Sequence, residues 1–353
     1  MKTRGVTRRQ FLKGAAGAGA LTLGFPSVVT RARAQSKNEI VFVGFGGTYQ
    51  EGQTKALFEP FEKETGIKVT QTTGVDIAKL RAQVQSKNVE WDLISIPDRL
   101  RYTAVRDGLV MPLDYKTINA KDVMPALVTE HAVGAVTIPM LLTYATKAYP
   151  AGQAPRTWMD FWDAKKFPGP RGLYNAPTYI LEFALIADGA PKDKLYPLDV
   201  ARALKSLDRV KESVKVWWTQ FPQPGVLLKS GEITMTPWTR SITFILDGEP
   251  LGISYEGAAL TYEAWVVPKG APHAENAMKF INWALQPKPQ AELTKYVAFG
   301  PTNLKAMPMV DAKVRPLLSS DPENAKKGFL LSGDWWGPNL DKVNERWNEW
   351  RLK

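Results

Sequence analysis

Past residue 38 the spacing of apolar positions changes several times within sixty residues. Residues 40–45 form a short, nearly continuous apolar run, the pattern of a strand buried on both faces. Ala56, Leu57 and Phe61 then recur at helical spacing within 50–65, where Pro60 is expected to kink or divide the helix and Gly66 to stop it. Residues 67–70 alternate like a strand. Asp76 is placed to cap a helix carrying Ile77, Leu80 and Val84, and residues 91–96 read as a third strand. That β-α-β-α-β order predicts a parallel sheet with right-handed crossovers.

Farther along, Trp158, Phe161 and Trp162 share one face of a helical turn and are expected to pack in a core. Residues 172–174 predict a strand leading into Asn175-Ala176-Pro177-Thr178-Tyr179. Asp199 caps a helix with Val200, Ala203, Leu204, Leu207 and Val210 on one face, and residues 233–235 predict a strand ending at Pro237-Trp238. Amphipathic helices are expected at 275–285 and from Asn339 onward. The chain therefore reads as α/β throughout. Open α/β sheets hold ligands at the carboxyl ends of their strands, which selects the loops 46–50, 97–99, 175–179, 237–241 and 255–263.

A length of 353 residues fits two lobes or domains. The net charge of +11 does not mark a nucleic-acid binder. Residues 1–34 hold seven basic residues and no acid, leaving +4 for the rest, an ordinary solvated surface. Within that segment, residues 7–13 (TRRQFLK) match the twin-arginine pattern. An apolar stretch from Gly14 to about Val29 follows, and then Ala32-Arg33-Ala34, a small-x-small cleavage signal. The expectation is a signal peptide over 1–34, export by the twin-arginine pathway, cleavage after Ala34 and a periplasmic product. The absence of Cys excludes disulfides, thiolate metal sites and cysteine nucleophiles.

The stretch VGFGGTYQ (43–50) begins like a dinucleotide-binding loop, but Tyr49 stands in place of the third glycine and no acid follows the second strand. There is no phosphate-binding G-x-x-x-x-G-K. His131 and His273 are far apart in sequence and outside any metal-ligand or triad spacing. No cofactor or metal is expected. A twin-arginine-exported hydrolase or carbohydrate-active enzyme is the alternative, and it needs a catalytic pair that no spacing marks.

The selected loops instead offer the makings of a binding site. Tyr49, Tyr179, Trp238, Tyr255 and Tyr262 are aromatic, Asp98, Glu256 and Glu263 acidic, and Arg240 basic. Aromatic faces beside a carboxylate suit an organic ammonium, while Arg240 suits a carboxylate or phosphate.

Several segments resemble the spermidine/putrescine-binding type of solute-binding protein that serves ABC importers. They are LFEPFEKETGIKV (57–69), WDLISIP (91–97), IPMLLTYATKA (138–148), TWMDFWD (157–163), EGAALTYEAWVVPKGAPHAENAMKFINWAL (256–285) and GPTN (300–303). The resemblance implies a two-lobed periplasmic binding protein fold of type II, each lobe a mostly parallel sheet flanked by helices, with the ligand cleft between lobes. Lobe 1 would comprise 35–140 with 264–302, and lobe 2 141–263 with 303–353. It implies no catalysis, a small-molecule ligand, partnership with a permease and an ATPase, no nucleic acid, and a monomer. By position, Gly47, Thr48 and Tyr49 would face the ligand, Trp238 stands where polyamine binders carry a stacking tryptophan, and Glu263 where they carry an aspartate.

Two departures qualify the ligand. The loop containing Asn175, Thr178 and Tyr179 lacks the family's acids, and Trp238-Thr239-Arg240 replaces its W-N-G. An arginine in the pocket would repel a second ammonium, so the ligand expected is an amine that is either polyamine-like or zwitterionic, the zwitterion with its amine on Glu263 and its carboxylate on Arg240.

Overall fold

The computed structural model describes residues 37–150 and 152–353; the signal peptide and its cleavage point lie outside them. The first half runs β1 (Glu39–Gly44), α1 (Gly47–Gln53), a π-helical turn (Thr54–Phe58), α2 (Glu59–Thr65), β2 (Lys68–Thr73), α3 (Ile77–Ser86), β3 (Leu93–Pro97) and α4 (Asp98–Arg106). Pro60 falls in the first turn of α2, where its missing N–H has no helical partner to lose, so the division expected of it appears as the π-helical turn just before. Gly66 closes α2 with φ 72°, and Asp76 Oδ1 accepts from the amides of Ala78 (2.7 Å) and Lys79 (3.2 Å) to open α3.

The remainder runs β4 (Val133–Ala145), α5 (Trp158–Trp162), β5 (Arg171–Tyr174), α6 (Ile180–Ala187), α7 (Val200–Asp208), β6 (Val214–Trp218), α8 (Gln223–Ser230), β7 (Met235–Trp238), α9 (Ser241–Leu246) and the long β8 (Leu251–Val266). Then follow α10 (Ala274–Ala284), α11 (Pro287–Leu293), β9 (Gly300–Pro301), α12 (Pro322–Lys327), β10 (Phe329–Leu330) and α13 (Gly333–Arg351). The last helix starts before the expected Asn339, because Ser332 caps it and the helix continues through Pro338.

The strands form one mixed sheet in the order β2-β1-β3-β8-β4-β7-β5-β6. Parallel pairing holds within β2-β1-β3 and within β7-β5-β6, as the alternating pattern predicts, but the two central strands pair antiparallel with each other and with both flanks. This topology fixes where the strand ends point. β3 and β4 are both antiparallel to β8, so β1 and β3 run in the direction of β4. β7 is antiparallel to β4, so β5 and β7 run in the direction of β8. Since β4 passes from the β3 side to the β7 side and β8 returns, the carboxyl ends of the two strand sets face each other across the middle of the sheet. There β8 is interrupted: Met140 pairs with Ala259 but Leu142 with Ser254, leaving residues 255–258 as a bulge.

Separate cores lie on either side of this line. Phe42, Phe58, Phe61, Trp265 and Phe280 pack on the β1 side, and Trp158, Phe161, Phe183, Trp218 and Trp336 on the β5 side. The second core contains a carboxyl group. Glu182 on α6 is fully buried; its Oε1 accepts from Tyr196 Oη (2.8 Å) and Trp336 Nε1 (2.6 Å), and its Oε2 has no partner. Burial pushes its carboxyl up from 4.5 to about 7, against the effect of those two bonds. A raised folded-state value favours the protonated fold, so this group's contribution is intact below pH 4.5 and is lost as pH rises through 7. Glu182→Gln keeps the acceptor without the charge. It is expected to raise the urea midpoint at pH 8 and leave it nearly unchanged at pH 5.

Candidate ligand-binding site

Glu263 lies on β8 where that strand enters the β1 side, in register with Pro97 at the end of β3 and Val136 on β4. The residue is only 9% exposed, and its Oε2 accepts from Ser95 Oγ at 2.7 Å. Burial raises its carboxyl to about 7; Ser95, Tyr49 and the nearby Arg99 guanidinium all oppose that rise. Tyr49, on the first turn of α1, packs its ring edge-on to Phe299 (5.2 Å). Its buried hydroxyl lies beside Glu263 and Ser95 but makes no hydrogen bond of good geometry. Burial, then the Glu263 charge, holds that phenol well above its ordinary value. A buried acid and an unpartnered hydroxyl thus converge at the carboxyl ends of β1 and β3.

The opposite strand ends supply the facing wall. Arg240, just past β7, donates from Nη2 to Thr48 Oγ1 at 2.7 Å, joining residues 192 apart in sequence across the line between the two strand sets. The glycines before Thr48 are needed there: Gly46 and Gly47 take φ 75° and 62°, which lets the chain turn from β1 directly into α1. Tyr179, in the loop after β5, also has positive φ (71°), a strained backbone for a non-glycine residue. Its hydroxyl is buried near Thr261 and within the field of Arg99.

Gly47, Thr48, Tyr49, Tyr179, Arg240 and Glu263 therefore lie at the facing strand ends, linked through Thr48–Arg240 and through Tyr49 and Arg99 beside Glu263. Three other expected residues are corrected. Trp238 is 0% exposed; it packs against Phe244 and Leu228 and donates from Nε1 to the Phe221 carbonyl at 2.6 Å, so its face is spent on the core behind β7. Tyr262 and Glu263 are adjacent on a strand and point to opposite faces, so Tyr262 turns away and donates its hydroxyl to Asp98. Asp98 in turn accepts on its Oδ1 from both Tyr262 Oη and Arg101 Nε (2.6 Å), which ties its charge to Arg101. Asn175 is exposed at the rim and accepts from Arg351 Nε at 3.2 Å, while Thr178 is buried in the same loop. Sequence reasoning passed over Ser95, Thr261 and Arg99. Each had a signal: a lone hydroxyl in an apolar strand, a polar residue two before Glu263 and hence on its face, and a cation in the selected loop 97–99.

A bacterial extracellular solute-binding protein model matches residues 56–326. The chain belongs to that family. The twin-arginine signal model matches residues 5–24, so this binding protein is exported by that route to the periplasm. It is similar to the gamma-aminobutyric acid-binding protein of Pseudomonas aeruginosa, 31% identical over 335 residues, covering 91% of this chain and 93% of the relative. It is also similar to the spermidine/putrescine-binding periplasmic protein of Escherichia coli, 24% identical over 327 residues, with 88% and 90% covered. Among solved structures, the periplasmic binding protein AgtB of A. tumefaciens R10, in complex with agropinic acid, matches with TM-score 0.76 and 40% identity, over 90% of this chain and 100% of AgtB. The fold is the two-lobed α/β fold of periplasmic binding proteins. The chain is the substrate-binding component of an ABC importer that works with a membrane permease, and not an enzyme; the hydrolase alternative has no support.

Proposed function

We propose that this binding protein captures a small amine that also carries a carboxylate, with the ammonium on Glu263 and the carboxylate on Arg240. The lobes would be 35–140 with 264–302 and 141–263 with 303–353, closing on the ligand as a monomer and presenting it to a permease driven by an ATPase. The observation that carries the reading is the Arg240–Thr48 bond, which brings a guanidinium from the opposite strand ends to the residue next to Tyr49, whose hydroxyl lies beside the buried Glu263 carboxyl. Arg240 spends one donor on Thr48 and has others left for a ligand oxygen. That bond links the two strand sets, so a ligand bridging Glu263 and Arg240 would stabilise the closed form over the open one. The relatives' names include both a zwitterion and polyamines, and the arginine favours the zwitterion.

Titration calorimetry with 4-aminobutyrate and putrescine tests this. In Arg240→Met, 4-aminobutyrate affinity is expected to fall at least about tenfold while putrescine binding is unchanged or improved. Equal losses for both ligands, or no loss for either, would remove Arg240 from the role.

A further inference from the structure

Arg99 is not accounted for by a ligand with one amine and one carboxylate. It occupies the first turn of α4, two residues beyond Pro97, the register partner of Glu263. It is partly buried, and its charge favours ionisation of both the Glu263 carboxyl and the Tyr179 phenol. Among the described residues its side chain has no hydrogen bond or ion pair. Its neighbours differ: Arg101 pairs with Asp98 and Asp334, and Arg106 with Asp107. The adjacent acid, Asp98, already shares its Oδ1 between Arg101 and Tyr262, and the facing loop 175–179 has no acid.

Two guanidiniums thus stand at the strand ends around Glu263, Arg99 acting on its charge and Arg240 reaching Thr48 from the opposite set. A neutral zwitterion would satisfy Glu263 and Arg240 and leave the half-buried Arg99 without a counter-charge, which is costly where closure excludes water. A diamine would add a second cation to that surplus. From this juxtaposition we infer that the ligand carries two carboxylates and one amine, the second carboxylate being held by Arg99. The inference rests on the reading of Glu263 and Arg240 above and names the ligand class for the same site. Arg99 is then the residue that separates a monoamino dicarboxylate from the simple amino acids and diamines that otherwise fit.

The test uses chain beginning at Gln35, freed of endogenous ligand by unfolding and refolding, and four probes at pH 8. L-glutamate and L-2-aminoadipate are dicarboxylates of two lengths, 4-aminobutyrate is L-glutamate without its α-carboxylate, and putrescine has no carboxylate. At least one dicarboxylate is expected to bind about tenfold or more tightly than 4-aminobutyrate. Arg99→Met is expected to erase that preference with 4-aminobutyrate affinity within about twofold of wild type, and Arg99→Lys to retain part of it. If 4-aminobutyrate equals or exceeds both dicarboxylates, or if Arg99→Met weakens every probe alike, the inference is overturned while the reading of Glu263 and Arg240 stands. If none of the four binds, that reading fails and this one with it.

Discussion

Replacing Glu263 by Gln is expected to weaken binding of an amine ligand by at least about thirtyfold, the effect of removing the charge from one side of an enclosed ammonium–carboxylate pair. The pH dependence gives the prediction a second readout. The carboxyl stands at about 7 before ligand arrives, and an ammonium binds its ionised form. Wild-type affinity is therefore expected to rise about tenfold between pH 6 and pH 8 and then level off, whereas Glu263→Gln follows no such curve. The variant also controls for folding. A buried acid whose value is raised above 4.5 disfavours the fold as pH climbs through 7, so Glu263→Gln is expected to be at least as stable as wild type at pH 8. Lost affinity in a protein that melts no lower can only come from the site. Calorimetry and thermal melts at the two pH values check both halves.

Trp158→Ala carries the largest expected loss of stability. Trp158 is fully buried, stacks on Phe183 with ring centres 3.7 Å apart, and donates from Nε1 to the Gly257 carbonyl at 2.7 Å. Truncating an aromatic residue in such a core costs about 3–5 kcal/mol through lost burial and the cavity left behind. Gly257 lies at φ 70° within the β8 bulge, between the two halves of the sheet, so the same substitution also frees the backbone at that bulge. A marked fall in the urea midpoint is expected, together with weaker ligand binding at temperatures where the protein is still folded. An unchanged midpoint would mean that this core contributes little to the stability of its lobe.

What was legible in the chain follows from the range of each interaction. Gly66 as a helix stop and Asp76 and Asp199 as caps depend on a few neighbouring residues, and all three stand as read. The long central strands were not derivable from periodicity. β4 is buried along nearly its whole length and shows no alternation, and β8 breaks its own at the 255–258 bulge. Their place as crossovers came through the family resemblance. At the site, strand ends were the right place to look, but sequence could not say which way a side chain points there. Tyr262 and Glu263 looked equally suited, and the pleat gives only one of them to the cleft. Trp238 ends a strand as an exposed ring would, yet the small Gly225 opposite leaves room for it in the core. Arg99 was hidden beside Asp98, whose charge seemed the more useful until Arg101 was seen to hold it.

The central claim is that a small amine is held on Glu263 in a cleft that performs no chemistry. Native mass spectrometry of the protein isolated from periplasm under non-denaturing conditions tests it most directly. The account predicts a one-to-one adduct with the mass of an amine-bearing acid, present in wild type, absent in Glu263→Gln and released unaltered on denaturation. An adduct that survives Glu263→Gln undiminished, or a released molecule lacking any amine, would contradict it.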